Sequence, residues 1–237
     1  MISSPHNEKL KLVRKLRERK HRDAEGLFAS EGEDLVEAGL AAGVEPHFLL
    51  SAAGSGFGGE EVEPELLSEV STLGSGTRAI GVWPLAWASE AKPPCVYLHG
   101  IGDPGNVGAI VRSAHALLGG TVVLGPECAD PFGPKAVRAS MGSIFAQSLL
   151  RTGIEAMPRP RAALVAHGGA GLAELTGVAT VCLGAERAGL PAEVLEECDL
   201  EATIPLRPGA AESLNVAAAA AIVCERLSSP AMRESAD

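Results

Sequence analysis

Three stretches of the chain place polar side chains directly after apolar segments that predict β-strands. Asn106 and Arg112 follow one strand, Glu186 follows another, and Ser213 and Asn215 precede an alanine-rich helix. An arginine fork suits a phosphate group. An asparagine at the mouth of an apolar helix is costly unless its amide has partners. Because ligands bind at the carboxyl ends of the strands in open α/β sheets, these residues predict a ligand site at that edge.

The first stretch also satisfies a dinucleotide-binding pattern. Glu127 lies roughly twenty residues beyond a G-x-G-x-x-G sequence that separates a predicted strand from a predicted helix, with glycines Gly100, Gly102 and Gly105. A nicotinamide-dependent oxidoreductase is therefore one alternative. Pro104 beside the third glycine is unfavourable for this pattern, and the pattern gives no role to the asparagine and arginine that follow.

Taken together, the three stretches resemble the motifs of the SpoU/TrmH family of RNA ribose 2′-O-methyltransferases, within the SPOUT superfamily. The matching residues are Asn106, Gly108 and Arg112 for the first motif, Gly184, Glu186, Gly189 and Leu190 for the second, and the stretch 204–216 for the third. A supporting match occupies 134–142, between the first two motifs. Many members have asparagine where this chain has Ala185, which removes one polar contact.

The resemblance implies transfer of a methyl group from S-adenosyl-L-methionine to a ribose 2′-hydroxyl. Arg112 would orient or activate that hydroxyl, and four residues would hold the arginine and the ribose in place: Asn106, Glu186, Ser213 and Asn215. The cofactor would contact the loops of the site at Leu183, Gly184, Ile204, Leu206, Ser213 and Leu214. The resemblance also implies a C-terminal trefoil knot and a homodimer whose interface lies close to the site.

The charge distribution predicts that RNA binds through one region. Residues 1–22 contain eight Lys/Arg and two Glu, a net charge of +6, whereas the whole chain has a net charge of −10. The candidate RNA-binding residues are Lys15, Arg19, Arg22, Arg112 and Arg138. A solvated helix face is the alternative explanation for this run of charge.

The stretch 28–32 resembles the N-terminal domain of ribosomal-RNA members of the family. This likeness favours 23S-type ribosomal RNA over transfer RNA as the substrate. A catalytically silent RNA-binding assembly factor is a further alternative.

Alternating apolar and amphipathic segments predict an α/β fold in two domains. We expect a small α/β RNA-binding domain at 1–85, a linker at 86–94, a parallel-sheet SPOUT domain at 95–228 and a flexible tail at 229–237. One helix is predicted over 7–22, with Leu10, Val13 and Leu16 as its apolar stripe. The strands of the second domain are predicted at 95–100, 121–124, 144–148, 163–166, 179–183 and 202–206, and its helices at 107–118, 134–140, 172–175, 191–198 and 216–227. Ser213 is the predicted N-cap of the last helix.

The composition argues against several other classes of protein. No apolar run approaches the roughly 20 residues of a membrane span, and the charged N-terminal segment is unlike a signal peptide. The five cysteines are scattered and lack metal-ligand spacing, so no metal site is expected. We expect buried, reduced thiols in a cytoplasmic protein.

Overall fold

Two β-sheets organise the chain, and each belongs to a separate compact unit of the computed structural model. The structure describes residues 1–74, 76–207, 209 and 213–228, so the predicted tail at 229–237 lies outside the described residues. Unit 1 comprises Met1–Ala86 and Asp130–Ala146, and unit 2 comprises Trp87–Ala129 and the chain from Gln147 onward. Within the described ranges, none of the helices combines the length and the apolar character needed to span a membrane.

The elements are numbered in chain order. The strands are β1 (Leu27–Glu31), β2 (Phe48–Ala52), β3 (Glu60–Val62), β4 (Ala79–Pro84), β5 (Cys95–Leu98), β6 (Thr121–Leu124), β7 (Ser148–Arg151), β8 (Arg161–Leu164), β9 (Thr180–Leu183) and β10 (Leu200–Ala202). The helices are α1 (Glu8–Lys15), α2 (Arg19–Glu25), α3 (Glu33–Ala41), α4 (Pro64–Val70), α5 (Pro104–Leu117), α6 (Pro134–Ser140), α7 (Ala192–Leu195) and α8 (Val216–Leu227). Short 3₁₀ helices occupy Ser143–Phe145, Ile154–Ala156 and Leu172–Leu175.

The sheet of unit 1 has the strand order β1-β4-β2-β3. Strand β4 is antiparallel to both of its neighbours, whereas β3 runs parallel to β2. The apolar stripe predicted for the first helix is confirmed as buried core, where it joins Leu67 of α4 and Ile80 of β4; its members are Leu10, Val13 and Leu16. Burial of this stripe holds the helical layer against the sheet.

The prediction of a single helix over 7–22 is wrong, because α1 ends at Lys15 and α2 begins at Arg19. Carbonyl groups at the end of a helix lack intrahelical donors. Here Nη1 of Arg22 donates to the carbonyl oxygens of Leu16 at 2.7 Å and of Arg17 at 2.9 Å. The guanidinium of Arg22 therefore stabilises the turn between the two helices.

The segment Asp130–Ala146 supplies aromatic core to unit 1, although its neighbours in sequence belong to unit 2. The ring of Phe132 lies 5.1 Å from that of Phe28, and the ring of Phe145 lies 4.8 Å from that of Trp83. The sequence assigns this segment to the second domain, whereas the structure groups it with the first. The strand predicted at 144–148 is wrong for the same reason, since Phe145 packs in a 3₁₀ helix and β7 begins only at Ser148.

A buried ion pair also joins this segment to the N-terminal helices. Asp130 Oδ2 accepts from Nη2 of Arg22 at 2.6 Å and from Nε at 2.9 Å. The two side chains are only 5% and 8% exposed. A buried charge is costly without its partner, so each member of the pair requires the other.

The sheet of unit 2 is parallel throughout, with the strand order β10-β8-β9-β5-β6-β7. Its central strands are buried along their full length, as expected for a parallel sheet covered on both faces. Leu98 at the end of β5 is in register with Leu183 of β9 and Leu124 of β6. The carboxyl ends of these strands therefore form one edge, which the loops after β5 and β9 share.

Helix α8 packs against α5 beside this edge. Its predicted extent, 216–227, is confirmed. Ala219 and Ala220 on its buried face are small, which allows close approach of the neighbouring backbone, and alanine has the highest helix propensity. The pairing brings the start of α8 next to the start of α5.

We expect Asp130→Ala to lower the free energy of unfolding by about 3 kcal/mol, because it leaves the guanidinium of Arg22 buried without its counter-charge. Urea denaturation followed by circular dichroism measures this loss. The control is Glu69→Ala, which removes the exposed partner of Arg14 and should cost less than about 1 kcal/mol. Equal, small losses in both variants would contradict a structural role for the Arg22–Asp130 pair.

Candidate active site

A cavity of about 340 Å³ opens at the carboxyl edge of the unit 2 sheet. This volume is in the range of small-molecule sites. Its walls come from the ends of β8 and β9, from the segment 204–206 and from the start of α8. The lining residues are Leu164, Val165, Ala166, Leu183, Gly184, Ala185, Glu186, Arg187, Ala188, Gly189, Ile204, Leu206, Ser213, Leu214, Val216 and Ala219.

All six residues predicted to contact the cofactor line this one cavity: Leu183, Gly184, Ile204, Leu206, Ser213 and Leu214. Two of them, Leu183 and Gly184, stand at the end of β9, and the other four come from the third motif. Pro208 and residues 210–212 of that motif lie outside the described part of the chain. The structure thus brings together two motifs that are about twenty residues apart in the sequence.

The loop after β9 is a tight turn that only glycine permits. The amide of Gly189 donates to the carbonyl of Ala185 at 2.8 Å, and Gly189 has a φ of +70°. A Cβ atom on Gly184 would lie 2.2 Å from the carbonyl carbon of Gly189 and 2.4 Å from the amide nitrogen of Leu190. The backbone of the loop therefore closes directly over Gly184, at the cavity wall.

Three polar side chains, one from each motif, form a hydrogen-bonded triangle next to the cavity. Oε1 of Glu186 accepts from Nδ2 of Asn106 at 3.0 Å and from Nδ2 of Asn215 at 2.8 Å. Nδ2 of Asn215 also donates to Oδ1 of Asn106 at 3.0 Å. Hydrogen bonds to a charged acceptor are stronger than neutral ones. The carboxylate therefore fixes both carboxamides, and with them the starts of two helices.

Side-chain caps at the starts of α8 and α5 determine where the two asparagines lie. Oδ1 of Asn215 accepts from the amide of Ala217 at 2.9 Å, so Asn215 is the N-cap of α8. At the start of α5, Oδ1 of Asp103 accepts from the amides of Gly105 at 2.6 Å and Asn106 at 3.1 Å. The predicted N-cap role of Ser213 is wrong, because Asn215 takes it. Ser213 is exposed and lines the cavity instead.

Arg112, the predicted catalytic arginine, lies on α5 and is exposed. In the described part of the chain, its guanidinium makes no hydrogen bond or ion pair. It is not among the residues that line the cavity of its own chain. The triangle therefore does not hold Arg112 directly, and the guanidinium is open to an anionic ligand.

The dinucleotide alternative conflicts with this geometry. In that pattern, the pyrophosphate occupies the N-terminus of the helix after the glycines. Here the carboxylate of Asp103 already binds the first free amides of α5. The cavity lies at β8, β9 and α8, and it includes none of the three glycines of the pattern.

The predicted RNA-binding residues of unit 1 fall into two groups. Lys15 and Arg19 are exposed on α1 and α2, where Arg19 is 3.5 Å from Asp23 in an i,i+4 pair. Arg138 donates to the hydroxyl of Thr72 at 2.8 Å and is half-buried. The prediction for Arg22 is wrong, because its guanidinium is buried and engaged in the ion pair described above.

The cysteines contribute no nucleophile to the cavity. Burial raises the pKa of Cys95 to about 11 and that of Cys224 to about 12. The sulfur atoms of Cys182 and Cys198 are 3.7 Å apart, and the hydrogen bond between them raises the pKa of Cys182 and lowers that of Cys198. Neither lines the cavity. Among the described residues, no group of His, Cys, Asp and Glu is arranged to hold a metal ion.

Comparison with protein families gives two matches. Residues 93–225 match the SpoU rRNA Methylase family, and residues 7–80 match the MRM3-like substrate binding domain. Among curated proteins, the chain is 32% identical to the 23S rRNA (guanosine(2553)-2′-O)-methyltransferase RlmP of Bacillus subtilis. That alignment covers 95% of this chain and 98% of the relative.

Solved structures show the same architecture. An rRNA methyltransferase from Sinorhizobium meliloti, with S-adenosylmethionine bound, superposes with a TM-score of 0.82 at 28% identity, over 95% of this chain and 96% of that one. A TrmH-family protein from Porphyromonas gingivalis gives a TM-score of 0.79 at 30% identity, over 96% of this chain and 98% of that one.

Sequence reasoning missed one wall of the cavity. Leu164, Val165 and Ala166 at the end of β8 form this wall. The sequence predicts a strand at 163–166, which covers this apolar run. That β8 lies next to β9 depends on the order of the strands, which short-range sequence patterns do not encode. Arg187, in the loop after β9, is a second lining residue that the motif does not single out.

We expect Gly184→Ala to weaken S-adenosylmethionine binding about ten-fold or more, because the added methyl group displaces the loop backbone over the cavity. Gly102→Ala is the matched control, since no atom lies within 4 Å of its Cβ position. Isothermal titration with S-adenosylmethionine and, separately, with NAD measures both. If the unmodified protein binds NAD and Gly102→Ala does not, the result would instead support the dinucleotide alternative.

Proposed function

Because the chain belongs to the SpoU rRNA methylase family, we propose that it transfers a methyl group from S-adenosyl-L-methionine to a ribose 2′-hydroxyl of ribosomal RNA. The observation that carries this proposal is the triangle of Asn106, Glu186 and Asn215. It joins the three motif segments through side-chain hydrogen bonds beside a cavity of cofactor size.

The cavity fits this cofactor on its own geometry. The loop backbone lies so close to Gly184 that no side chain fits there, and the cavity beside it has a volume of about 340 Å³. Apolar walls from Leu183, Leu164 and Ile204 suit an adenine ring, and the loop backbone offers polar groups for its edges. When bound, S-adenosylmethionine supplies a methyl group activated by a sulfonium.

The protein must then position a weak nucleophile and assist the loss of its proton. A guanidinium has a pKa above ~12 and rarely gives up its proton. We assign to Arg112 the electrostatic lowering of the hydroxyl pKa and a grip on the neighbouring phosphate. Asn106, Glu186, Ser213 and Asn215 act by fixing the shape of the pocket in which the ribose sits.

Unit 1 provides the RNA-binding surface in this proposal. The match to a substrate binding domain over residues 7–80 supports this assignment. Exposed cations on α1 and α2, including Lys15 and Arg19, offer phosphate contacts. Arg138 adds a further cation beside the loop of Thr72. The RNA-binding domain predicted at 1–85 then also includes the segment Asp130–Ala146, which belongs to the same unit.

The substrate we propose is 23S-type ribosomal RNA. The relative from Bacillus subtilis, which is named for this class of substrate, aligns over nearly the whole of both chains, including the substrate-binding part. If the chain acts on the same class of substrate, it works in the cytoplasm, where bacterial ribosomal RNA resides.

We further propose a trefoil knot around the cavity and a homodimer formed through α8. Ile222, 36% exposed, and Ala218, one turn earlier, give this helix an apolar outer strip, and Leu214 beside it is 37% exposed. A contiguous apolar strip on an exposed helix face marks a site where another protein surface packs. A second copy of the chain is the occupant, in keeping with an isologous C₂ interface.

We expect Arg112→Ala to reduce methyl transfer at least a hundred-fold, roughly the loss seen when an electrostatic catalytic group is removed. The S-adenosylmethionine affinity should stay near that of the unmodified protein, because Arg112 does not line the cavity. Incorporation of tritiated methyl groups into an unmodified 23S rRNA transcript, with titration calorimetry, measures both.

Arg112→Lys should retain only a small part of the activity, since lysine keeps the charge but lacks the fork. Arg159→Ala, an exposed arginine paired with Glu197, is the control and should be fully active. Turnover in Arg112→Ala close to that of this control would overturn the role assigned to Arg112.

We expect Ile222→Glu to convert a homodimer to a monomer, because it places a charge in the apolar strip of α8. Light scattering after size exclusion should give twice the chain mass of 24.3 kDa for the unmodified protein and a single mass for the variant. Leu40→Glu, at another exposed apolar residue, is the control and should leave the dimer intact. A dimer that persists in Ile222→Glu contradicts the interface.

A further inference from the structure

Trp87 and Arg151 form a cation–π pair on unit 2 that none of the motifs includes. The guanidinium carbon of Arg151 lies 4.4 Å from the centroid of the Trp87 ring. This distance is typical of a cation–π contact, in which the planar guanidinium lies over the face of the ring. The arginine is exposed, and the tryptophan is half-buried beneath it.

Two features hold this pair in place. Arg151 is the last residue of β7, so the sheet fixes its backbone. The amide of Ala88 donates to the carbonyl of Leu149 at 2.7 Å, which ties the chain next to Trp87 to the same strand. The guanidinium is therefore held over the ring of Trp87 on an exposed side chain before any ligand arrives.

The pair lies at the same sheet edge as the cavity. The strand pairing connects the two positions. Arg151 is in register with Leu124 of β6, and Leu124 is in register with Leu98 of β5. Leu98 is in turn in register with Leu183 at the cavity wall. Three strand spacings separate Arg151 from Leu183, a distance of roughly 14 Å. A nucleic acid chain with one ribose at the cavity can reach a neighbouring position along this edge.

The charge environment of Arg151 differs from that of Arg159 and Arg161 in the same unit. Arg159 and Arg161 share the carboxylate of Glu197 through ion pairs of 2.9 Å and 2.7 Å. Across the described ranges, Arg151 has no such carboxylate partner. Among the residues that the structure describes, no ion pair neutralises its positive charge, and the side chain is exposed.

We infer that Arg151, held over the ring of Trp87, is a stacking platform for an unpaired base of the RNA substrate, close to the nucleotide that is methylated. The inference rests on the proposed function. Proteins that recognise single-stranded or looped RNA stack its bases on aromatic rings and on arginine planes. The platform selects RNA in which a base near the target is free to leave its helix.

Arg151→Lys tests the inference, because it keeps the charge and removes the plane. We expect the KM for an unmodified 23S rRNA transcript to rise roughly ten-fold, the loss typical of one stacked base. The S-adenosylmethionine affinity and the salt dependence of RNA binding should stay unchanged. Arg159→Lys is the matched control, since Arg159 is ion-paired, and its KM should be that of the unmodified protein.

Trp87 provides the second comparison. Trp87→Phe preserves an aromatic face and should leave the KM within about two-fold, whereas Trp87→Leu should raise it as Arg151→Lys does. Thermal unfolding separates loss of packing from loss of RNA contact. A KM in Arg151→Lys within about two-fold of the control would overturn the inference and reduce Arg151 to a phosphate contact or a cover for Trp87.

Filter binding of the same transcript reports RNA affinity without turnover. If the unmodified protein binds this RNA but transfers no methyl group, the proposed function is contradicted. The RNA affinities of Arg151→Lys and Arg159→Lys can still be compared in that case. Affinities that are equal for Arg151→Lys and Arg159→Lys would contradict the stacking platform alone.

Discussion

The site depends on the two ends of one carboxamide. The oxygen of Asn215 caps α8, while its nitrogen donates to Glu186 and Asn106. The start of α8, the loop after β9 and the start of α5 are thereby fixed by a single side chain. Asn215 is exposed, so burial of its amide is not the cost that the apolar helix suggests, and both polar atoms of the amide have partners. A cavity wall that three separate segments contribute needs a common anchor of this kind.

The local part of this arrangement can be predicted from the sequence. Spacing within each motif predicts which residues leave a strand and which open a helix, and the six residues expected at the cofactor meet at one cavity. The wall from Leu164 to Ala166 was not foreseen, since it depends on β8 lying next to β9. Strand order is a property of the whole sheet, and the residues of β8 alone carry no mark of their neighbour.

Charge patterns were the less reliable guide. Arg22 lies in a basic run like that of Lys15 and Arg19, yet its guanidinium is buried and serves the turn between α1 and α2. Nothing local distinguishes the three cations, because the partner of Arg22 lies in a distant segment. For the same reason, the apolar run that contains Phe145 was predicted as a strand, although its partners Trp83 and Phe28 belong to unit 1.

Unit 1 is therefore encoded in two separate stretches of the gene, with the strands of the parallel sheet between and beyond them. This division bears on how such proteins can diversify. Recombination that exchanged only the N-terminal stretch between two relatives would pair a new aromatic and ionic surface with an old Asp130–Ala146 segment. The two stretches must change together, so substitutions should be correlated across the sequence separation of 108 residues from Arg22 to Asp130.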